Sequence, residues 1–346
     1  MKKTIDLRSD TVTLPSEGMR EAMYAAALDD DVLAHDPTTQ ELEEFAADLL
    51  GKEDALFVPS GSMANQICIK VSTRPGQQML CSETAHVDSS EVCMTAAFSG
   101  VQPQRVPSPD GNFTAEAARE FIWPDIHYFP ETGMVSIENT MNAPGGRVFP
   151  QDEIKKISAL CKEKNIPLHM DGARLFNAAV ASRRPVADIV GDVDCVNFCL
   201  SKGLGAPVGS MVCGTKKFIH DARRIRQMMG GGMRQTGFLA AAGLYALENN
   251  IDRLAEDHAN ARRLADGLIE IPGVTLAIEI VETNMVYFDV EGVSAEDIVR
   301  RCSEHGFRLL YEGFPTLRLV THLDVSSEDV EKFLQVMKGV IAKLIQ

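Results

Sequence analysis

Ile166-Pro167-Leu168-His169-Met170-Asp171-Gly172-Ala173-Arg174 and Val196-Asn197-Phe198-Cys199-Leu200-Ser201-Lys202-Gly203-Leu204-Gly205 are the stretches that decide how this chain is read. Each is an apolar run of strand length that closes on a charged residue and a small-residue turn, so Asp171 and Lys202, 31 residues apart, are expected at strand ends. Ligands of α/β sheets bind outside such ends. A lysine desolvated there can lose its proton and form an imine, and an aspartate beside it can keep a pyridine nitrogen protonated. Pyridoxal phosphate (PLP) requires those two groups of its protein. An Asp and a Lys at this spacing occur in most proteins, so the assignment rests on the surrounding pattern.

Outward from these runs the chain alternates strands and helices. Ala55-Leu56-Phe57-Val58-Pro59 reads as a strand breaking into Ser60-Gly61-Ser62, with a helix from Met63, and an anion can be held where such a helix begins. A helix over about 38–50 is announced by Asp36-Pro37-Thr38, and another runs over about 151–164. Gln78-Met79-Leu80-Cys81, Gly133-Met134-Val135-Ser136-Ile137 and Gly209-Ser210-Met211-Val212-Cys213-Gly214 read as further strands. The alternation predicts an α/β fold with a large, mostly parallel sheet over residues 1–250. After the glycine run Gly230-Gly231-Gly232 a long helical stretch is expected over about 236–268. Strand candidates at Met285-Val286-Tyr287-Phe288 and Leu317-Arg318-Leu319-Val320 between helices predict a small α+β domain over 251–346.

With 346 residues, 45% of them apolar, the chain can bury a cofactor-sized pocket, and no apolar run approaches the ~18 residues of a membrane span. The start, Met1-Lys2-Lys3-Thr4-Ile5-Asp6, lacks the apolar core of a signal peptide, which leads us to expect a cytoplasmic protein. Its eight cysteines form no C-x-x-C pair and read as reduced core thiols, and no metal site is expected from them. A net charge of −15 argues against nucleic acid or anionic membrane as the main partner, but not against a small anion met by local arginines.

Taken in order, six strings resemble the low-specificity L-threonine aldolases, PLP enzymes of fold type I, the aspartate-aminotransferase-like fold. They are Asp6-Leu7-Arg8-Ser9-Asp10-Thr11-Val12-Thr13, Phe57-Val58-Pro59-Ser60-Gly61-Ser62, His169 to Arg174, Leu200 to Ser210, Gly230-Gly231-Gly232-Met233-Arg234-Gln235 and Arg318-Leu319-Val320-Thr321-His322-Leu323-Asp324. The resemblance implies that Lys202 links covalently to PLP, that Asp171 meets its ring nitrogen and that Gly61 and Ser62 bind its phosphate. It implies that Ser9, Arg174 and Arg318 grip the substrate carboxylate, a task that suits the arginine fork. His86 is placed as the residue that stacks on the ring near the substrate hydroxyl. Arg234 is implied to reach the active site of a neighbouring subunit in a homo-oligomer, a tetramer built as a dimer of dimers. A cation near Thr11, Thr13 and Ser201 is a further possibility of the resemblance, set against ordinary turn and cap roles for the same hydroxyls.

The chain also departs from the family. Where the family reads Glu-Asn-Thr-His-Asn, this sequence has Glu138-Asn139-Thr140-Met141-Asn142, and methionine cannot accept a proton. The loop Asp30-Asp31-Val32-Leu33-Ala34-His35 loses a tyrosine and gains a histidine, so His35 is a candidate to replace the missing imidazole on the substrate side. Three readings follow. The first is aldol cleavage of a β-hydroxy-α-amino acid, threonine or allo-threonine-like, to glycine and an aldehyde, the work of a carbon–carbon lyase. The second is another PLP reaction on an amino acid, such as β-elimination, and the third is a PLP-binding paralogue without turnover. Side-chain and isomer preference are not legible.

Overall fold

The structure is a computed structural model and describes residues 4–33, 36–143, 145–277, 279–311 and 313–345. Its strands in chain order are β1 (Ile5–Asp6), β2 (Asp54–Val58), β3 (Gln78–Ser82), β4 (Gln102–Val106), β5 (Thr132–Glu138), β6 (Leu168–Asp171), β7 (Cys195–Cys199), β8 (Ser210–Gly214), β9 (Val274–Leu276), β10 (Met285–Val290), β11 (Phe307–Arg308) and β12 (Leu317–Val320). Seven of them form one sheet in the order β2-β8-β7-β6-β5-β3-β4. The run from β4 to β7 is parallel, and β8 lies antiparallel to both β7 and β2.

Strands β3, β5, β6, β7 and β8 are buried at every residue, which is why they read in sequence as unbroken apolar runs and not as alternation. Helices cover both faces of the sheet. Pro37–Leu50, Gln151–Lys164 and Gly237–Asn249 contribute to the main core, and Gly61–Ser72 and Lys216–Met228 to another. Gly209, at the end of the ten-residue connection from β7 into β8, adopts a φ of 106° and abuts the Phe57 ring, where a Cβ would collide.

Two elements differ from expectation. Strand β4, Gln-Pro-Gln-Arg-Val, lies at the edge of the sheet with mostly solvent-facing side chains, so it carries no apolar signature. The expected long helical stretch is two helices, Gly237–Asn249 and Leu254–Ile269. They part at Asn249-Asn250, residues of low helix propensity, where the Asn250 amide donates to the Leu204 carbonyl at 2.7 Å.

Strands β12-β10-β9 form an antiparallel sheet under the helices Ala295–Glu304 and Ser327–Leu344, with Phe288, Leu319 and Phe333 fully buried between them. Ile5 and Leu7 belong to this second core, because β1 pairs in parallel with β11 and Leu7 accepts from the Val320 amide. From there Ser9–Thr13 run to the C-terminal edge of the large sheet, where the Thr13 hydroxyl lies within hydrogen-bond distance of the Asp10 and Lys202 carbonyls. The N-terminal segment therefore connects the second core with the strand ends. Among the described residues no helix is long and apolar enough to cross a membrane.

Candidate active site

The C-terminal ends of β6 and β7 open into a cavity of about 330 Å³ lined by Lys202, Asp171, His86, Gly61, Ser62 and Asn65, among others. A larger hollow of about 700 Å³ beside Trp123 and Phe129 shares no lining residue with it. The smaller cavity gathers Lys202, Asp171, His86, Gly61 and Ser62, residues singled out from the sequence. Asp171 is the last residue of β6 and Lys202 follows β7, so neighbouring parallel strands deliver both to one place. The helix Gly61–Ser72 begins at the same cavity, with the Ser60 hydroxyl capping the Met63 amide. A Cβ on Gly61 would stand 2.8 Å from the Cys199 sulfur, so this position favours glycine.

Asp171 is buried, and each of its oxygens accepts one hydrogen bond: Oδ2 from Asn65 Nδ2 at 2.7 Å and Oδ1 from the Ala173 amide at 3.0 Å. Asn65 Nδ2 also donates to Glu91 Oε1 at 2.8 Å, so one amide bridges two carboxylates. Glu91 Oε2 accepts from Gln66 Nε2 at 2.8 Å, and Oε1 stands 3.0 Å from His86 Nδ1. His86, Glu91 and Asp171 thus bring their ligand-type atoms within 4.8 Å of one another.

The hydrogen bond to Glu91 raises the His86 pKa above the ordinary histidine value, burial opposes it, and the Asp171 charge adds to the rise. Opposite a carboxylate, Nδ1 carries the proton and Nε2 keeps its lone pair. The His86 backbone amide donates to Glu138 Oε2 at 2.9 Å, and the Asn142 amide donates to Glu138 Oε1 at 2.8 Å. Burial, helped by the Asp171 charge, pushes the Glu138 carboxyl up to about 7.

Both arginines of the expected carboxylate grip are present, but the fork of Arg174 is turned inward. Its Nε and Nη2 each donate to Asp10 at 2.7 Å, and Asp10 is fully buried. Burial would raise the Asp10 pKa, yet the Arg174 charge and hydrogen bonds hold it well below the usual carboxylate range. Arg174 Nη1 reaches Asn142 Oδ1 at 3.3 Å, and Arg318 Nη1 reaches the same oxygen at 3.4 Å. Arg318 Nη2 donates to the Arg8 carbonyl at 3.3 Å, and its buried Nε makes no hydrogen bond. Ser9 caps the short turn Asp10–Val12 and its hydroxyl lies 3.5 Å from Asp10 Oδ1.

The remaining expected residues lie elsewhere. Arg234 is exposed and pairs with Asp30 at 3.1 Å, and within this chain it does not line the cavity. His35 lies outside the described residues. Met141 is buried, its sulfur 4.0 Å from the Thr84 hydroxyl.

The beta-eliminating lyase family model matches residues 6–291 of this chain. Low-specificity L-threonine aldolase 1 of Arabidopsis thaliana is 41% identical over 335 residues, covering 95% of this chain and 94% of the relative. The chain belongs to the low-specificity L-threonine aldolase family. These enzymes are aldehyde-lyases. The Leishmania major threonine aldolase structure shares the fold, with a TM-score of 0.82 at 20% identity, covering 97% of this chain and 99% of that one. So does an SPT structure with PLP, with a TM-score of 0.76 at 17% identity over 99% of this chain and 88% of that one. The fold is the fold type I architecture that the resemblance implied.

Asn65, Glu91, Glu138 and Asn142 escaped the sequence reading. Asn65 stands one helical turn after Gly61, on the face that Gly61 presents to the cavity, and this spacing could have found it. Glu138 and Asn142 flank Met141 in the string whose departure was noted, where attention to the missing histidine hid the residues kept around it.

Proposed function

We propose that this chain is a PLP-dependent aldolase that cleaves β-hydroxy-α-amino acids of the threonine kind to glycine and an aldehyde. The observation that carries the reading is the convergence of Lys202, Asp171, His86 and the first turn of the helix Gly61–Ser72 on one cavity. This donor set fits PLP: an amine for its carbonyl, a buried carboxylate for its ring nitrogen, a helix N-terminus for its phosphate. The missing Cβ at Gly61 and the buried, unpaired Asn65 Oδ1 add a cradle and an unspent acceptor at the same wall. Lys202 would hold the cofactor covalently, Asp171 would meet its nitrogen, Gly61 and Ser62 its phosphate, and His86 its ring face. Bound there, PLP supplies an electron sink for the pair released when the Cα–Cβ bond breaks.

The chain's own residues do the rest. Arg174, Arg318 and Ser9 bind the substrate carboxylate and fix its plane. Asp10 holds Arg174 rigid, so that a single Nη1 faces the substrate side. His86, with Nδ1 engaged by Glu91, accepts the β-hydroxyl proton at Nε2, directly or through a water. Met141 takes no part in proton transfer.

The same reading makes the protein a cytoplasmic homo-oligomer, with Arg234 serving a neighbouring subunit and a tetramer as the assembly. Eight free cysteines support the compartment. It divides the chain near residue 250, and the helix Leu254–Ile269 supports the boundary, since Leu254 joins the first core and Ala261 the second.

The test is incubation of the purified, PLP-loaded protein with a panel of β-hydroxy amino acids. Glycine and aldehyde in equal amounts support the aldolase, pyruvate and ammonia would mark β-elimination, and no product from any of the panel would leave a binding protein.

A further inference from the structure

Two guanidinium groups placed to receive a carboxylate already share one oxygen acceptor within the chain. Arg174 Nη1 and Arg318 Nη1 approach Asn142 Oδ1 at 3.3 and 3.4 Å. Guanidinium N–H groups only donate, so the atom the amide turns to them is its oxygen. Both bonds are long for N–H···O, and neither guanidinium meets a charge at this point, because Arg174 spends its other donors on Asp10. Arg318 keeps a buried Nε without a partner.

The Asn142 backbone is fixed on two sides, its amide donating to Glu138 and its carbonyl accepting from the Tyr287 hydroxyl at 3.0 Å. The side-chain oxygen is therefore held at the meeting point by the main chain.

We infer that Asn142 is a positioning residue that presets the two-arginine clamp by standing in for one oxygen of the substrate carboxylate. The inference rests on the reading that Arg174 and Arg318 grip that carboxylate. A neutral amide suits the role. It holds two like-charged groups at binding distance without satisfying their charge, so an arriving carboxylate displaces or joins it at little cost, whereas a fixed carboxylate would fill the clamp permanently.

The experiment compares the PLP-loaded wild type with Asn142→Asp and Asn142→Ala in two measurements. The first is the rise in melting temperature caused by acetate, with chloride at equal ionic strength as control. Asn142→Ala, whose arginines lose the acceptor that presets them, should respond less than wild type, and Asn142→Asp, whose carboxylate fills the clamp, should not respond. The second is affinity for a β-hydroxy amino acid and for the amino alcohol that lacks its carboxylate. Asn142→Asp should weaken the amino acid by about tenfold or more, the scale of one charged hydrogen-bonding partner, and leave the amino alcohol within about twofold. Equal acetate responses in the three proteins, or equal loss of amino acid and amino alcohol, overturns the inference. If Asn142→Ala does not fold, the Asn142→Asp comparison decides alone. Failure of the wild type to turn over any β-hydroxy amino acid would count against the proposed aldolase, while the acetate ranking would still report on the clamp.

Discussion

Replacing Glu91 by glutamine removes one negative charge from beneath His86 while keeping the shape of the side chain. The Glu91 carboxylate accepts from His86 Nδ1 at 3.0 Å and from the Asn65 and Gln66 amides at 2.8 Å each. A hydrogen bond to a charged group contributes about 1.5–3 kcal/mol. The His86 side chain is 33% exposed, so solvent screening favours the lower end. About 1.5 kcal/mol corresponds to roughly one pKa unit. The sign follows from the role. Glu91 favours the protonated imidazole, and a base must be neutral, so loss of the charge frees His86 at lower pH. The acid limb of kcat/KM against pH should move about one unit toward acid in Glu91→Gln. The glutamine NH₂ must also face one of its former donors, leaving one buried N–H without its acceptor at a cost of about 1–3 kcal/mol, which a melting curve reads as a lower Tm. A lowered Tm with an unmoved acid limb would refute the reasoning, since Glu91 would then only support the fold and His86 would not be the base.

Lys202→Ala should abolish the visible absorbance of covalently bound PLP while far-UV circular dichroism stays native, and a mutant keeping both absorbance and turnover would move the attachment elsewhere. Arg318→Lys keeps the charge but loses the planar donors, so KM for the amino acid should rise about tenfold with PLP affinity hardly changed, as initial-rate and cofactor-titration measurements will read. Glu138, raised by burial and by Asp171 to about 7, binds its proton more tightly folded than unfolded. That contribution to stability is complete below the ordinary carboxyl value and is lost as pH rises through about 7. Melts of cofactor-free protein, where no bound charge adds to the field at Glu138, should therefore fall between about pH 5 and 7.5, and Glu138→Gln should flatten this slope.

The central fold was legible because strands buried on both faces write themselves as apolar runs, and because a sheet delivers its ligand groups at strand ends. That rule put Asp171 and Lys202 at strand ends, and the surrounding motifs singled them out from other Asp and Lys residues. What stayed hidden depends on pairings across the chain that no local pattern encodes. Arg318 meets Asn142 across 176 residues and Arg174 meets Asp10 across 164. A fork read from sequence as free for a substrate is thus already half committed. Glu91 lies in an irregular turn after the short helix His86–Ser89, where no periodicity marks a residue as buried, and its partners come from another helix. The edge strand β4 was invisible for the opposite reason, since an exposed strand needs no apolar side chains.

The exchange at Met141 is best understood through its neighbours. Glu138 binds two backbone amides, Asn139 Oδ1 accepts from the Phe149 amide at 3.1 Å, and Asn142 holds the guanidinium groups, so the string keeps its architecture through positions other than 141. Met141 itself is 1% exposed and sits beside the Thr84 hydroxyl, which is satisfied by the Ala143 carbonyl at 2.6 Å. An apolar side chain there leaves the Thr84 hydroxyl paired and brings no strong polar atom of its own that burial would leave unsatisfied. The chain could therefore give up an imidazole at this position without losing the means to hold a carboxylate. On the proposed mechanism the proton chemistry falls to a histidine already backed by a buried carboxylate, the arrangement that His86 and Glu91 form.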